Sequence, residues 1–513
     1  MATYILRRIG VSILILLAAS FIMYVLAANS GDPLKDLRGG NAANEAQLIA
    51  ARVQALDLDV PAPLRWFLWL GGAAQCLIPF ADSCDLGLTL SNAPVATILP
   101  TAMVSTLQLV TVATVAAILL GVVVGIVTAL RQYSGFDLAT TFLSFFLFSL
   151  PSFLVAVLLK EFIALGFNDF LQAGPVIPPA AIIVIALIAG LIWQVLIGGA
   201  LRRRLIVFGA STLATAAVLF YVSATEWFLY PGLGPIGLLV LIAGVAVVTT
   251  ILVSGLANKK ALLTAGIGAV LVYVSYFVLQ NLFNISSIWT LIFIFVAAVV
   301  LGGVIGFFLG GNDRGQAIRA GAITTGISML LVFLDRFMQA WPDYVNSSRI
   351  NGRPIATVGS QTPGFSGDVW MTGIDSFTHL LLPTIALLLI SFAQYTRYAR
   401  AGLLEVLNQD YIRTARAKGL PERTVIMRHA FRNMLIPIAT IVATDVGALL
   451  GGAVITERVF AISGMGNLFA TSLGRTDLNP VMGYFIVIAI VAITFNFLAD
   501  LAYAALDPRV RVR

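Results

Sequence analysis

The sequence predicts an all-α, polytopic membrane protein of about twelve transmembrane helices, at about 20 residues per crossing. Three observations carry this expectation. Of the 513 residues, 59% are hydrophobic and only 11% are charged. The mean hydropathy is +0.97. Apolar runs of spanning length recur along the whole chain, each bounded by charges, Pro or Gly. Soluble domains carry about 25% charged and about 45–50% apolar residues, so composition excludes the soluble enzymes. Little sequence is left for a water-soluble catalytic domain, and chemistry that requires one has to come from a partner.

The first span, 9–29, follows Tyr4-Ile5-Leu6-Arg7-Arg8. Its apolar run is longer than a secretory h-region, and Gly31-Asp32-Pro33 is not a small-residue cleavage site, so a retained helix is expected. The loop to residue 103 holds the two cysteines, Cys76 and Cys84. On the far side of the membrane a disulfide between them can persist, and two buried free thiols are the alternative. Spans at 104–129 and 139–163 complete a first block. Six more, at 179–200, 205–224, 233–256, 261–283, 288–311 and 319–336, are joined by very short turns. The last three fall at 376–396, 434–455 and 481–504.

The central six spans carry a weak internal similarity at an interval of about 54 residues, the mark of a repeated helical hairpin. Leu187-Ile188-Ala189-Gly190 recurs as Leu241-Ile242-Ala243-Gly244, and Val296-Ala297-Ala298 stands at the third place. Shared apolar composition offers a second explanation. The expected organisation is therefore three parts: 1–175, an inserted array of three helical hairpins within 176–340, and 341–513.

Charge fixes an orientation. With Arg7 and Arg8 in the cytoplasm, Arg131, Arg202 to Arg204, Lys259, Lys260, Arg314, Arg319, the loop 397–433 and the tail with Arg509, Arg511 and Arg513 follow. That places the greater part of the 31 Lys and Arg inside, and both termini with them. Basic residues so dispersed do not form the concentrated face that nucleic acid requires.

Catalytic machinery is not evident. The chain has no Gly-rich phosphate loop, no His-Glu-x-x-His and no nucleophile elbow. Two histidines, His379 and His429, and two cysteines are too few for a dense metal site. No enzyme activity and no cofactor are expected; any ATP is bound by another polypeptide. Among intramembrane charges, Lys160, Glu161, Asp335 and Arg336 sit near span ends, where charges snorkel cheaply, and are read as structural rather than functional. Asp445 lies near the middle of its span, ahead of Gly447, Gly451 and Gly452, and is the candidate for a translocation path, with a packing role as the alternative.

The most informative stretch is 397–433. Good helix formers lead to Gly419, suited to a helix C-terminus, and Pro421 and Glu422 suit the first turn of a new helix. The reading is helix, sharp turn, short amphipathic helix. Its apolar face, with Val425, Ile426 and Phe431, and a rim of Arg423, Arg428 and Arg432 are expected to fill a groove on a soluble partner.

The order Tyr411-Ile412-Arg413-Thr414-Ala415-Arg416-Ala417-Lys418-Gly419-Leu420, followed by Arg428-His429-Ala430-Phe431-Arg432-Asn433, resembles the coupling loop of permease subunits in dipeptide and oligopeptide ABC importers. Further similarities follow in order: the amino-terminal Tyr4 to Arg8, Asp85-Leu86-Gly87, Ser149-Leu150-Pro151-Ser152-Phe153, His379-Leu380-Leu381-Leu382-Pro383, Gly451 to Phe460, and Asp500 to Arg509. They cover about 1–175 and 375–513, a six-helix permease, so the central spans are extra.

The resemblance implies one subunit of an ATP-driven importer of di- or oligopeptides, in the plasma (inner) membrane of a prokaryote, multi-pass and surrounded by membrane lipid. It implies a homologous second permease subunit, two ATP-binding subunits and an extracytoplasmic substrate-binding protein. Arg413, Thr414, Ala415 and Gly419 are the coupling positions by match to the motif, with Leu420, Pro421, Arg428 and His429 beside them. Two departures stand out: Arg413 where the general importer motif starts with Glu, and Ser463-Gly464 where Pro-Gly is typical. The span count alone also fits a secondary transporter driven by an ion gradient, but that class expects two related halves. Import of nickel, glutathione or another small solute is the alternative within the family.

Overall fold

The computed structural model describes residues 2–38, 44–76, 84–435, 438, 439, 441, 442, 445 and 453–506. Among them, ten helices are long and apolar enough to cross a membrane, or eleven if one sharply bent pair counts as a span. The first is α1, Ala2–Ala28. Two short helices, α2 (Glu45–Ala55) and α3 (Ala62–Gln75), lead to α4, Val95–Leu130.

The expected straight span at 139–163 is instead α5 (Gly135–Ser149) and α6 (Ser152–Gln172), which meet at 102°. Pro151 has no N–H to continue the helix and forces Leu150 into an extended conformation, φ −77° and ψ 130°. Hydropathy runs unbroken across this corner and conceals it. The array follows as α7 (Pro179–Ile197), α8 (Leu201–Ala224), α9 (Gly234–Val253), α10 (Lys259–Val278), α11 (Ile288–Leu309) and α12 (Arg314–Val345). Next come α13 (Val369–Leu407), α14 (Asp410–Ala417), α15 (Val454–Val459), α16 (Met465–Gly474) and α17 (Leu478–Leu506). Most of the span expected at 434–455, with Pro437, Gly447, Gly451 and Gly452, lies outside the described residues, as do Asp507, Pro508 and Arg509.

Two helix pairs are closed by small residues. On α4, Ala113, Ala117, Gly121, Gly125 and Ala129 recur at helical spacing against α13. A Cβ on Gly121 would lie 2.7 Å from the Tyr395 Cβ, and one on Gly125 2.6 Å from the Ala399 Cβ. On α11, Gly302 and Gly306 meet α12 so closely that a Cβ would stand 2.5 Å from the Gly321 or Ala317 carbonyl oxygen. In a lipid solvent such backbone approach, rather than the hydrophobic effect, holds helices together.

α9 to α12 share one core, around Leu238, Ile242, Ala265, Ala269, Ile294 and Met329. The α7/α8 hairpin stands apart, and α8 buries none of its described side chains. The echoed glycines differ in use: Gly190 packs against Phe208 and Thr212 of α8, while Gly244 faces open space. Array and remainder join at the start of α13. Trp370 is fully buried among Phe283, Phe333 and Phe337, and its indole N–H donates to the Phe283 carbonyl at 2.9 Å. Beside this tight contact, an apolar cavity of about 500 Å³ opens between Phe167, Trp227, Trp341 and Phe377. α12 is continuous through residue 340, so one rod belongs to both parts.

Candidate functional site

α13 continues past the expected span end at 396, and the expected loop begins as its last turns. α14 ends at Ala417, and beyond it Gly419 takes φ +74°, a left-handed conformation that favours glycine. The Lys418 N–H donates to the Thr414 carbonyl at 3.0 Å and the Gly419 N–H to that of Arg416 at 2.9 Å, closing the helix end. Pro421 occupies the N-cap rather than the first helical position, followed by a turn at Glu422–Thr424 and a π-helical turn at Val425–Ala430. The Arg416 guanidinium grips the Glu422 carboxylate through Nη2 at 2.6 Å and Nε at 3.2 Å. These hydrogen bonds lower the Glu422 pKa and raise that of Arg416.

The apolar face of this helix-turn-helix points the other way from the sequence expectation. Val425 is fully buried, and with Ile412, Ala430 and Met434 it packs on Ala399 and Leu403 of α13 and Val122 and Ala129 of α4. Ile426 and Phe431 are half-buried. The face is covered by the chain's own helices, so it is not a plug for another protein. What remains exposed is Arg413, Thr414, Gly419, Leu420, Pro421 and Arg428, with Met427 the most exposed apolar side chain, at 57%. Ala415 is buried and His429 half-buried, so both support from behind this exposed surface, the plate formed by α14 and residues 418–430.

An ion pair that sequence reading missed fixes the neighbouring corner. Arg400 donates through Nε (2.7 Å) and Nη2 (3.0 Å) to Asp137, whose carboxylate also accepts the Tyr133 N–H at 3.0 Å. Asp137 was legible only as an acidic residue in the first turn after Ser134; its partner lies 263 residues away. Arg397 sits 4.2 Å from the Phe148 ring centroid, which keeps α5 against α13.

The membrane charges divide. Asp445 is half-buried and accepts from the Gln394 amide at 3.4 Å. Lys160 donates to the Val459 carbonyl at 3.2 Å, while Glu161 is exposed. Asp335 takes a structural place by burial rather than at the interface: it is fully buried and accepts the N–H of Leu233 (2.7 Å), the Tyr276 hydroxyl (2.9 Å) and the Gln339 amide (2.7 Å). Four donors, counting Gly234 N–H at 3.3 Å, make desolvation tolerable and tie α9, α10 and α12 together.

Glu457 is a second buried carboxyl that the sequence reading left unassigned. It accepts the Thr106 hydroxyl at 2.6 Å and the Asn467 N–H at 2.9 Å, and burial raises its pKa. Its carboxyl lies over Gly464, where a Cβ would stand 2.5 Å from Cδ. The glycine of Ser463-Gly464 is thus required whatever precedes it. Cys76 and Cys84 are joined in a disulfide, with Cα atoms 4.3 Å apart. Among the described residues, no three His, Cys, Asp or Glu side chains converge as metal ligands.

The bundle of long apolar helices defines a multi-pass membrane protein. The family model for binding-protein-dependent transport system inner membrane components matches residues 261–512, starting inside the central array. The Oligopeptide transport system permease protein OppB of Mycobacterium tuberculosis is 36% identical over 222 residues, 42% of this chain and 68% of that protein. The Dipeptide transport system permease protein DppB of Escherichia coli is 44% identical over 138 residues, 27% of this chain and 41% of that protein. The Oligopeptide transport system permease protein AppB of Bacillus subtilis is 41% identical over 136 residues, 26% of this chain and 43% of that protein. The chain belongs to the family of binding-protein-dependent transport system inner membrane components.

Proposed function

We propose that the chain is the permease subunit of an ATP-driven importer of di- or oligopeptides, forming half of the translocation path beside a homologous second permease. An extracytoplasmic binding protein delivers substrate, and two ATP-binding subunits dock on 397–433. ATP is bound and hydrolysed there; this chain carries the conformational change. Residues 1–175 and 341–513 form the transport core, 176–340 an added array, and both termini face the cytoplasm.

The observation that carries this reading is the plate's construction. Arg413, Thr414, Gly419, Leu420, Pro421 and Arg428 face outward, while Ile412, Val425, Ala430 and Met434 bind the plate to α4 and α13. A force on the exposed side reaches two membrane helices without a flexible link. Asp445, close to Gln394 of α13, is the candidate group on the path.

Co-purification with the ATPase subunits tests docking. Gly419→Pro removes the left-handed turn, because proline holds φ near −65°, and Arg413→Glu reverses an exposed charge. Both variants are expected to lose ATPase association while the permease remains folded. Undiminished association in both removes the docking assignment. Uptake by Asp445→Asn at the parent rate and substrate preference removes the path assignment.

A further inference from the structure

The array touches the plate. The last carbonyls of a helix have no partner within it, and at the end of α9 two successive N–H groups, of Ser254 and Gly255, both turn back to the Thr250 carbonyl. The Leu252 carbonyl is taken instead by Arg423, whose Nη2 donates at 2.7 Å across 171 residues of sequence. A guanidinium there also meets the negative end of the α9 dipole. Arg423 stands directly after Glu422, the residue gripped by Arg416, so its backbone is held on the plate side.

A second contact lies on the same pattern. α7, which runs in the direction of α9 as α11 also does, ends against Gly135, where a Cβ would collide with the Val195 carbonyl. Gly135 opens α5, two residues before the Asp137 that holds Arg400 of α13. Two helices of the array thus end on elements that carry the coupling surface.

We infer that the central array braces the ATPase-coupling surface, with Arg423 as a positioning residue that caps α9 and makes plate and array move as one body. This rests on the coupling reading above. The extra helices then act as a strut beside α13 that limits how the plate can rotate under load. In the assembled transporter, plate motion is passed to α13 rather than dissipated in a local swing of 419–430.

The experiment uses the complete transporter in lipid nanodiscs, with spin labels at Lys259→Cys and Lys418→Cys and the Cys76–Cys84 disulfide left intact. Pulsed distance measurements are expected to show one narrow distribution that persists through ATP binding. Arg423→Gln broadens it, and uptake of a labelled dipeptide per ATP hydrolysed falls about 2- to 30-fold, the range for loss of a coupling contact. Arg423→Lys, which keeps charge and one donor, recovers part of both. A distribution and an uptake-to-ATP ratio unchanged in Arg423→Gln overturn the brace. If the coupling reading itself is wrong, Gly419→Pro and Arg413→Glu retain ATPase association while Arg423→Gln still broadens the distance, which separates the two failures.

Discussion

The pairs α4/α13 and α11/α12 close in the same way, with glycines placed so that backbones touch, yet their polar groups are arranged differently. Along α4/α13 polar groups stand at both ends: at the plate end Arg397 and Arg400 lie on α13 and Asp137 opens the adjoining α5, and at the far end Thr106 of α4 meets Glu457 and Asp375 of α13 lies beside His379. On α11/α12 the contact is lined by Gly302, Gly306, Ala317, Gly321 and Thr325, and the charge network around Asp335 stands at the opposite end from the plate. Packing therefore says which helices move together. Of the two pairs, only α4/α13 carries an arginine–carboxylate pair at the plate end among the described residues, Arg400 with Asp137.

The severest way to break the comparison is to force the backbones apart. Gly306→Val places side-chain atoms against the Ala317 carbonyl and is expected to cost about 3 kcal/mol, read as a lower unfolding midpoint in detergent. Gly121→Val is expected to cost about as much and, unlike Gly306→Val, to reduce ATPase association too. Gly244→Ala, which meets open space, should stay within about 0.5 kcal/mol and marks the background. Equal, small effects at all three glycines would show that backbone contact does not hold these pairs.

Next in size is the corner ion pair. Asp137→Ala leaves Arg400 and the Tyr133 N–H without their acceptor and is expected to cost about 2 kcal/mol, discounted because Arg400 is 30% exposed. Transport should fall further than stability, since the plate loses an anchor. A double-mutant cycle with Arg400→Ala checks it; additive losses would mean the pair contributes nothing jointly.

The smallest effect is the pH response of Glu457. Its folded pKa lies above the ordinary 4.5, so the native state holds the proton more tightly than the unfolded chain. That contribution is complete below the unfolded pKa and is lost as pH rises through the folded one. Glu457→Gln is expected to flatten the decline of the unfolding midpoint above about pH 4.5, while Asp477, also raised by burial, leaves a residual slope. Identical pH profiles for parent and variant would discard Glu457 as the source.

Much of the fold was legible because spanning helices announce themselves by length and hydropathy, and the Gly419–Pro421 turn by residues that few other conformations want. The corner at Leu150-Pro151 was hidden because both arms are apolar, although the proline was in plain view. Periodicity identified the apolar face containing Val425 but carries no information about what covers it, and the cover proved to be α4 and α13. Asp137 with Arg400, and Glu457 with Thr106, are contacts between residues hundreds of positions apart, so a single chain read in order gives no signal for them.

The burial of Trp370 among rings of the array has a mechanical consequence. It clamps one end of α13 to the array, while Arg423 ties the plate at the other end to the same array, so helix, plate and array tilt as one lever. From Trp370 to Leu407 the helix is about 55 Å long at 1.5 Å per residue, so a tilt of about 5° of that body about its Trp370 end sweeps the plate end by about 5 Å past the rest of the protein. The array thus stiffens the lever. Shortening that lever, by moving the tryptophan anchor one or two turns along α13, would change the stroke without altering a single residue of the plate.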